Sequence, residues 1–279
     1  MKFILLAAAL ILSIIRCEGQ APNANRQFPV FDAVSFAHKP DLTVFGLKPI
    51  TVVYPNFMWK ENKVPDSTSL PDRSRIVAFG QLANQTSHVL AIDIEHWPLT
   101  GNPTTVAASI KKYQTVIGWY KATTAPELKI GFYGVTPLRN YWDSIQEKNS
   151  PRYLAWQKQN DALASVAQLE DVLFPSVYTF YDDRRGWEKY AIAQIQEARR
   201  YAGRKPVYVF LWPQYHGSNK KLDNAFLAGD YWRMELETAR KYADGLVIWC
   251  CSTKQTWDEN AAWWSETKTF LKELDKANN

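Results

Sequence analysis

The feature that most constrains this chain is a recurrence of short apolar runs with little polar interruption. They are PITVVY (49–54), SRIVAFG (74–80), HVLAIDIE (88–95), LKIGFYG (128–134), DVLFPSVY (171–178), KPVYVFLW (205–212) and DGLVIWCC (244–251). A strand with one wet face alternates apolar and polar residues, whereas a strand covered on both faces does not. The runs therefore predict parallel strands wrapped by helices. Helical patterns lie between several of them. Val106, Ile110, Tyr113, Ile117 and Tyr120 recur at helical spacing, with Thr104 or Thr105 as the expected cap. Further helices are expected over 152–170, 186–203, 229–245 and 260–277, the second of them stopped by Gly203. Between the second and third runs there is no clear helix.

The expected fold class is α/β, a (β/α)7–8 TIM-like barrel of parallel strands in a single domain. A length of 279 residues suits one such domain. An open doubly wound sheet is the rival. The sequence contains neither GxGxxG nor GxxxxGK[ST], so a nucleotide-binding version of that rival loses support.

Near the start of the chain Lys2 is followed by an apolar stretch from Phe3 to Ile15, too short to span a bilayer. It reads as a signal peptide over 1–19, cleaved near Gly19–Gln20 and followed by the barrel domain over 20–279. Arg16 argues against lipid attachment at Cys17. The expected location is secreted, extracellular or periplasmic, with no stable membrane insertion. The net charge of +5 is spread without a block of like charge, so nucleic acid is not an expected partner. A monomer without cofactor or metal is expected. Cys250 and Cys251 are adjacent, which excludes a multi-bridge framework, and two packed thiols are expected rather than a vicinal disulfide. Asn84 opens the NQT glycosylation sequon.

Function in a parallel barrel collects at the C-terminal strand ends. The third run ends in Asp93 and Glu95, which the two-residue period of a strand places on one face. Two like charges near a core are costly unless the site is open or one of them holds a proton. Aromatic residues end nearly every other run: Tyr54, Tyr133, Tyr178, Trp212 with Tyr215 beyond it, and Trp249; Trp97 follows the acidic pair. The chain has 12 Trp and 14 Tyr, which fits either a Trp-rich core or a cleft lined with rings. A ring-lined cleft around one acidic pair suits a sugar, whose C–H faces stack on aromatics.

Glycoside cleavage needs an acid to protonate the leaving oxygen and a group to stabilise the cationic sugar. Adjacent same-face carboxylates are too close to flank the bond as a standard acid and nucleophile. The spacing suits the substrate-assisted route, with Glu95 as acid and Asp93 orienting the substrate's acetamido group. The negative charge of Asp93 is expected to help keep Glu95 protonated. A bland alternative is a pair of rim acids held in salt bridges. A metal on Asp93, Glu95 and His96 is disfavoured because His96 should face away.

The motif AIDIEHWP (91–98) resembles the Asp-x-Glu strand of the hyaluronidase family of glycoside hydrolases. IGFYG (130–134), LFPSVY (173–178) and DGLVIWCCS (244–252) are similar to that family's later strands, in the same order. FGLKPITVVYPN (45–56) is similar to its first barrel strand. The chain reads as a short, distant member that lacks the family's usual cysteines and C-terminal module. The resemblance implies a (β/α)7-type barrel and a retaining, substrate-assisted hydrolase of N-acetylhexosamine-containing glycosaminoglycan, such as hyaluronan or chondroitin. It implies Glu95 as proton donor, Asp93 as its partner, Tyr178 as acetamide holder and Trp249 as a wall of the sugar site. Tyr133, Tyr54, Trp97, Tyr215 and Trp212 complete the expected substrate-binding set. Two alternatives remain: a non-catalytic carbohydrate-binding barrel, and a barrel glycosidase acting on a chitin-like or other glycan.

Overall fold

The computed structural model describes residues 27–60 and 68–278. The expected leader, with Cys17 and the cleavage position, lies outside those residues. The element order is β1 (Val30–Val34), a 3-10 turn (Leu42–Phe45), β2 (Lys48–Pro49), β3 (Thr51–Val53), α1 (Pro55–Met58), α2 (Arg73–Thr86), β4 (Val89–Ile92), α3 (Pro103–Lys121) and β5 (Lys129–Phe132). There follow α4 (Tyr141–Ser144), α5 (Pro151–Asp161), α6 (Ala164–Leu169), α7 (Arg184–Ala202), β6 (Tyr208–Leu211), α8 (Gly229–Tyr242), β7 (Gly245–Cys250) and α9 (Ala262–Asn278).

Every pairing between these strands is parallel, as the unbroken apolar runs require. One ladder has the order β2-β1-β7-β6 and the other β3-β4-β5. β2 and β3 are halves of one extended segment, 48–53, which serves both ladders. On the opposite side, isolated parallel bridges join β5 to the segment 173–176 and that segment to β6: Tyr133–Phe174, Leu173–Val207 and Ser176–Phe210. The pairings therefore run round seven strand positions. The fifth position holds bridges rather than a full strand because Pro175 has no N–H to give to a ladder. Its carbonyl still accepts from Phe210 N at 3.0 Å.

Alternate residues of each strand face two different cores. Phe31, Val89, Ala91, Phe174, Phe210 and Val247 pack together inside the ring. Leu90 and Ile92 of β4 instead meet α2 and α3 through Ile76, Tyr113 and Ile117. The other flank is a larger cluster of β6, β7, α7, α8 and α9 that buries Trp187, Trp232 and Trp264. Burial on both faces is the physical origin of the continuous runs.

Four sequence expectations need correction. SRIVAFG (74–80) is not a strand but the start of α2, capped by Asp72, which accepts from Ser74 N at 2.8 Å. An apolar run of that length is ambiguous between helix and strand, and its buried residues Ile76, Gly80 and Ala83 follow helical spacing. The missing strand is β1, whose run is interrupted by Asp32; that acid is neutralised by Lys39 Nζ at 2.7 Å and accepts from Val34 N at 3.0 Å. The helix expected over 152–170 is two, α5 and α6. The cap of α3 is Asn102, which accepts from Thr104 N at 2.9 Å, rather than either threonine.

The junction between the two ladders depends on Gly131. A Cβ there would lie 2.0 Å from the carbonyl oxygen of Val172, so only glycine lets β5 approach the segment that follows α6. Gly131→Ala is expected to cost about 3 kcal/mol, the upper part of the usual overpacking range. That corresponds to a fall in Tm of roughly 6–12 °C for a domain of this size. Thermal denaturation followed by circular dichroism measures it, and an unchanged Tm would show that the two segments can move apart.

Candidate active site

The C-terminal strand ends meet around a cavity of about 250 Å³ lined by Val52, Tyr54, Asp93, Glu95, Tyr133, Arg139, Tyr178, Phe210, Trp212, His216 and Trp249. Parallel direction gathers them there. Tyr54 follows β3, the acidic pair follows β4, Tyr133 follows β5, and Tyr178 follows the 173–176 segment. Trp212 and His216 follow β6, and Trp249 lies in β7.

The walls are rings held against one another. Tyr178 stacks on Trp249 with centroids 5.7 Å apart, and Trp212 meets Trp249 edge-on at 4.9 Å. Trp249 Nε1 donates to the Tyr54 hydroxyl at 2.8 Å, which leaves the tyrosine proton for another acceptor. Trp212 Nε1 donates to Gln214 Oε1 at 2.8 Å. Tyr133 and Ser176 hydroxyls are hydrogen-bonded at 3.0 Å. Burial pushes the Tyr133 hydroxyl up to about 12 and Tyr178 well above the ordinary value, so both remain proton donors at neutral pH.

Asp93 and Glu95 share the cavity, as their spacing predicts, but their environments differ. Burial, and then the charge of Glu95, raise Asp93 from 3.8 to about 7, with Arg139 acting in the opposite direction. Glu95 has a side chain 53% exposed, with Oε2 3.4 Å from Arg139 Nη2. The pair's raised group is Asp93, because it is the more desolvated of the two. The rim salt bridge expected of a purely structural pair is present on Glu95 alone.

Two expected wall residues do not reach the cavity. Trp97 is 1% exposed and packs against Tyr113 at 4.9 Å and Trp59 at 6.0 Å. The ladder of β4 stops at Ile92, so strand alternation no longer aims a side chain at position 97. Tyr215 is buried on the opposite face of its segment from Trp212 and His216, and its hydroxyl donates to Asp182 at 2.9 Å. Two cavity residues, Arg139 and His216, stand outside the expected binding set. His216 has the parity of Trp212 and could have been found from it. Arg139 lies in the loop beyond β5, where no periodic signal applies. Burial, and then the charge of Arg139, lower the pKa of His216. His96 turns away from the cavity toward Trp59, with ring centroids 5.0 Å apart. No group of His, Cys, Asp and Glu among the described residues could hold a metal ion. No helix among them is long and apolar enough to cross a membrane.

Cys250 and Cys251 are joined as a vicinal disulfide, not left as two thiols. Cys251 has a φ of 74°, a left-handed turn that brings the adjacent side chains together at the end of β7.

No protein-family model matches the chain. No curated protein matches its sequence. Among solved structures it is similar to bee venom hyaluronidase, with a TM-score of 0.60, 15% identity, and coverage of 89% of this chain and 97% of that one. The same enzyme in complex with a hyaluronic acid tetramer gives 0.60 and 15%, covering 89% and 96%. A broad-specificity GH5-4 endoglucanase from Bacteroides salanitronis gives 0.45 and 8%, covering 92% and 96%. The likeness to the bee enzyme is one of fold: a parallel α/β barrel.

The raised pKa of Asp93 has a consequence for stability. Between 3.8 and about 7 the native state holds a proton that the unfolded chain has released. Native stability is therefore lost as pH rises through that window. Asp93→Asn removes this dependence. Its Tm is expected to exceed that of the parent by an amount that grows from pH 4 to pH 7 and then levels off. Scanning calorimetry across pH tests it, and a pH-independent difference would show that Asp93 is ionised throughout.

Proposed function

We propose that the chain is a glycoside hydrolase that cleaves a β-linked N-acetylhexosamine-containing polysaccharide, of the hyaluronan or chondroitin type, with retention of configuration. The observation that carries this reading is the Asp93–Glu95 pair, with Asp93 desolvated and raised to about 7, inside an aromatic-walled cavity at the barrel's C-terminal strand ends. The fold likeness to bee venom hyaluronidase, which has been crystallised with a hyaluronic acid tetramer, supports it. So does the order of strand motifs in the sequence. A secreted protein acting on an extracellular polymer fits the signal-like N-terminus.

The proposed chemistry uses the proton held by Asp93, which passes to the neighbouring Glu95 when the sugar binds. The sugar in the cavity presents its glycosidic oxygen to Glu95 and its acetamido group to Asp93. The acetamide oxygen attacks the anomeric carbon, the glycosidic bond breaks, and the Glu95 proton passes to the departing oxygen. Asp93, its own proton given up to Glu95, becomes the anion beside the cationic cyclic intermediate. Tyr178, kept protonated by burial, holds the acetamide oxygen in place. Water then opens the intermediate from the opposite face, with Glu95 as base, and the original anomer is restored.

A binding-only barrel is the second reading, favoured by the contact that ties Glu95 to Arg139. The two separate at one substitution. Glu95→Gln is expected to keep fold and oligosaccharide binding and to lower the release of reducing ends by roughly 100-fold or more, the usual contribution of general acid catalysis. Parent-level turnover in that variant would exclude Glu95 as the acid. Hyaluronan, chondroitin and chitin oligomers, compared with unacetylated glycans, test substrate assistance. Cleavage is expected only where the acetamide is present.

A further inference from the structure

Three loops at the barrel mouth repeat one arrangement. Each gives an inner residue to the cavity and, three positions later, a large ring to the open rim: Tyr54 and Phe57, Arg139 and Trp142, Tyr178 and Tyr181. The second and third loops follow neighbouring strand positions, so their outer rings meet. Trp142 and Tyr181 lie with centroids 5.2 Å apart and are 53% and 37% exposed. Both rest on buried Tyr141, at 5.1 Å and 5.0 Å, which packs in turn on Tyr190 at 5.2 Å. The pair is braced from below while its outer faces stay in water.

Large apolar rings left at the surface cost solvation free energy, and contiguous ones mark contact sites. Two observations identify the occupant. The aromatic surface is continuous from the cavity outward: His216, a wall residue, lies 4.8 Å from Phe180, and Phe180 lies 6.4 Å from Tyr181. The cavity of about 250 Å³ is smaller than the usual ligand pocket and suits a single sugar ring. The rest of a polymer must therefore lie on the rim, and β5, whose loop carries Trp142, is the neighbour of β4, which carries the acids.

We propose that Trp142 and Tyr181 form a second carbohydrate subsite that stacks a sugar of the same polymer beyond the one held in the cavity. This rests on the glycan-cleaving reading. Rings stacked on aromatics add binding without entering the chemistry, so the subsite acts on long substrates and not on short ones. Its residues hold the chain in register over Glu95.

The test places Trp142→Ala and Tyr181→Ala in the Glu95→Gln background and titrates hyaluronan and chitin oligosaccharides, short ones that fill only the cavity and long ones that reach the rim. Each substitution is expected to weaken the long oligosaccharides about fivefold and leave the short ones unchanged. In the active protein the KM for polymer should rise by a similar factor with kcat unchanged. Trp142→Phe should restore most of the affinity. Leu154→Ala, an exposed apolar side chain on α5, should change neither. Equal losses for short and long ligands, or none for either, would overturn the subsite. Glu95→Gln protein that binds no glycan of any length would remove the cleavage reading and the subsite with it. Melting curves identify a misfolded Trp142→Ala, in which case Tyr181→Ala and Trp142→Phe decide the result alone.

Discussion

The common direction of the strands is the constraint on which the rest depends. In a parallel ring every strand delivers its last residue to the same rim, however distant the strands are in sequence. Tyr54 and Trp249 are 195 positions apart and hydrogen-bonded at 2.8 Å for this reason. The same geometry assembles the acids after β4, the rings after β3, β5 and β6, and Arg139 in the loop beyond β5. It holds only if neighbouring strands can approach closely all the way round. Gly131 against the Val172 carbonyl and the bridges on either side of Pro175 are where that approach is tightest and least regular.

Desolvation sets the electrostatics, but it does not by itself mark a site. Burial raises Glu170 to about 7, the same value as Asp93. Glu170 is wholly enclosed, and its oxygens are taken by Phe132 N at 2.7 Å and by the Thr136 hydroxyl. It ties the end of α6 to the end of β5 and has no room for a substrate. Asp93 has the same shift with one side open to the cavity and a second carboxylate beside it. A perturbed acid is a functional candidate when a reacting atom can reach it, and that is the difference between the two.

Much of this was legible in the sequence because burial on both faces leaves a strong trace. The runs at 49–54, 88–95, 205–212 and 244–251 are strand positions in the structure. β1 was hidden because Asp32, neutralised by a lysine seven residues away, breaks its apolar pattern. α2 was misread because seven apolar-rich residues do not distinguish the two periods. The period of two placed Asp93 and Glu95 together and failed at Trp97, where the ladder has already ended. Parity would have chosen His216 over Tyr215. Arg139 lies in a loop and Trp142 in the one-turn helix α4, and neither segment is long enough to leave a periodic signal. Tyr141 beneath Trp142 is a tertiary contact that no spacing predicts.

The charge balance of the cavity bears on how it would recognise a polymer. Below about pH 7 Asp93 is neutral, and Glu95 lies against Arg139, so the acidic pair presents little net charge. The anionic chain of the proposed function is then not repelled by the residues proposed to act on it. Nor is it drawn in by a field, because the cationic group closest to the pair is already engaged. On the proposed function, selection falls instead to shape and hydrogen bonding: ring faces for the C–H surface of a sugar, and neutral tyrosine hydroxyls for a carbonyl oxygen. Tyr178 and Tyr133 keep their protons because they are buried, and Tyr54 has its proton free because Trp249 supplies its incoming bond. Burial that costs the fold a charged carboxylate at Asp93 is thus the same burial that keeps the surrounding donors in the form the proposed N-acetyl substrate requires.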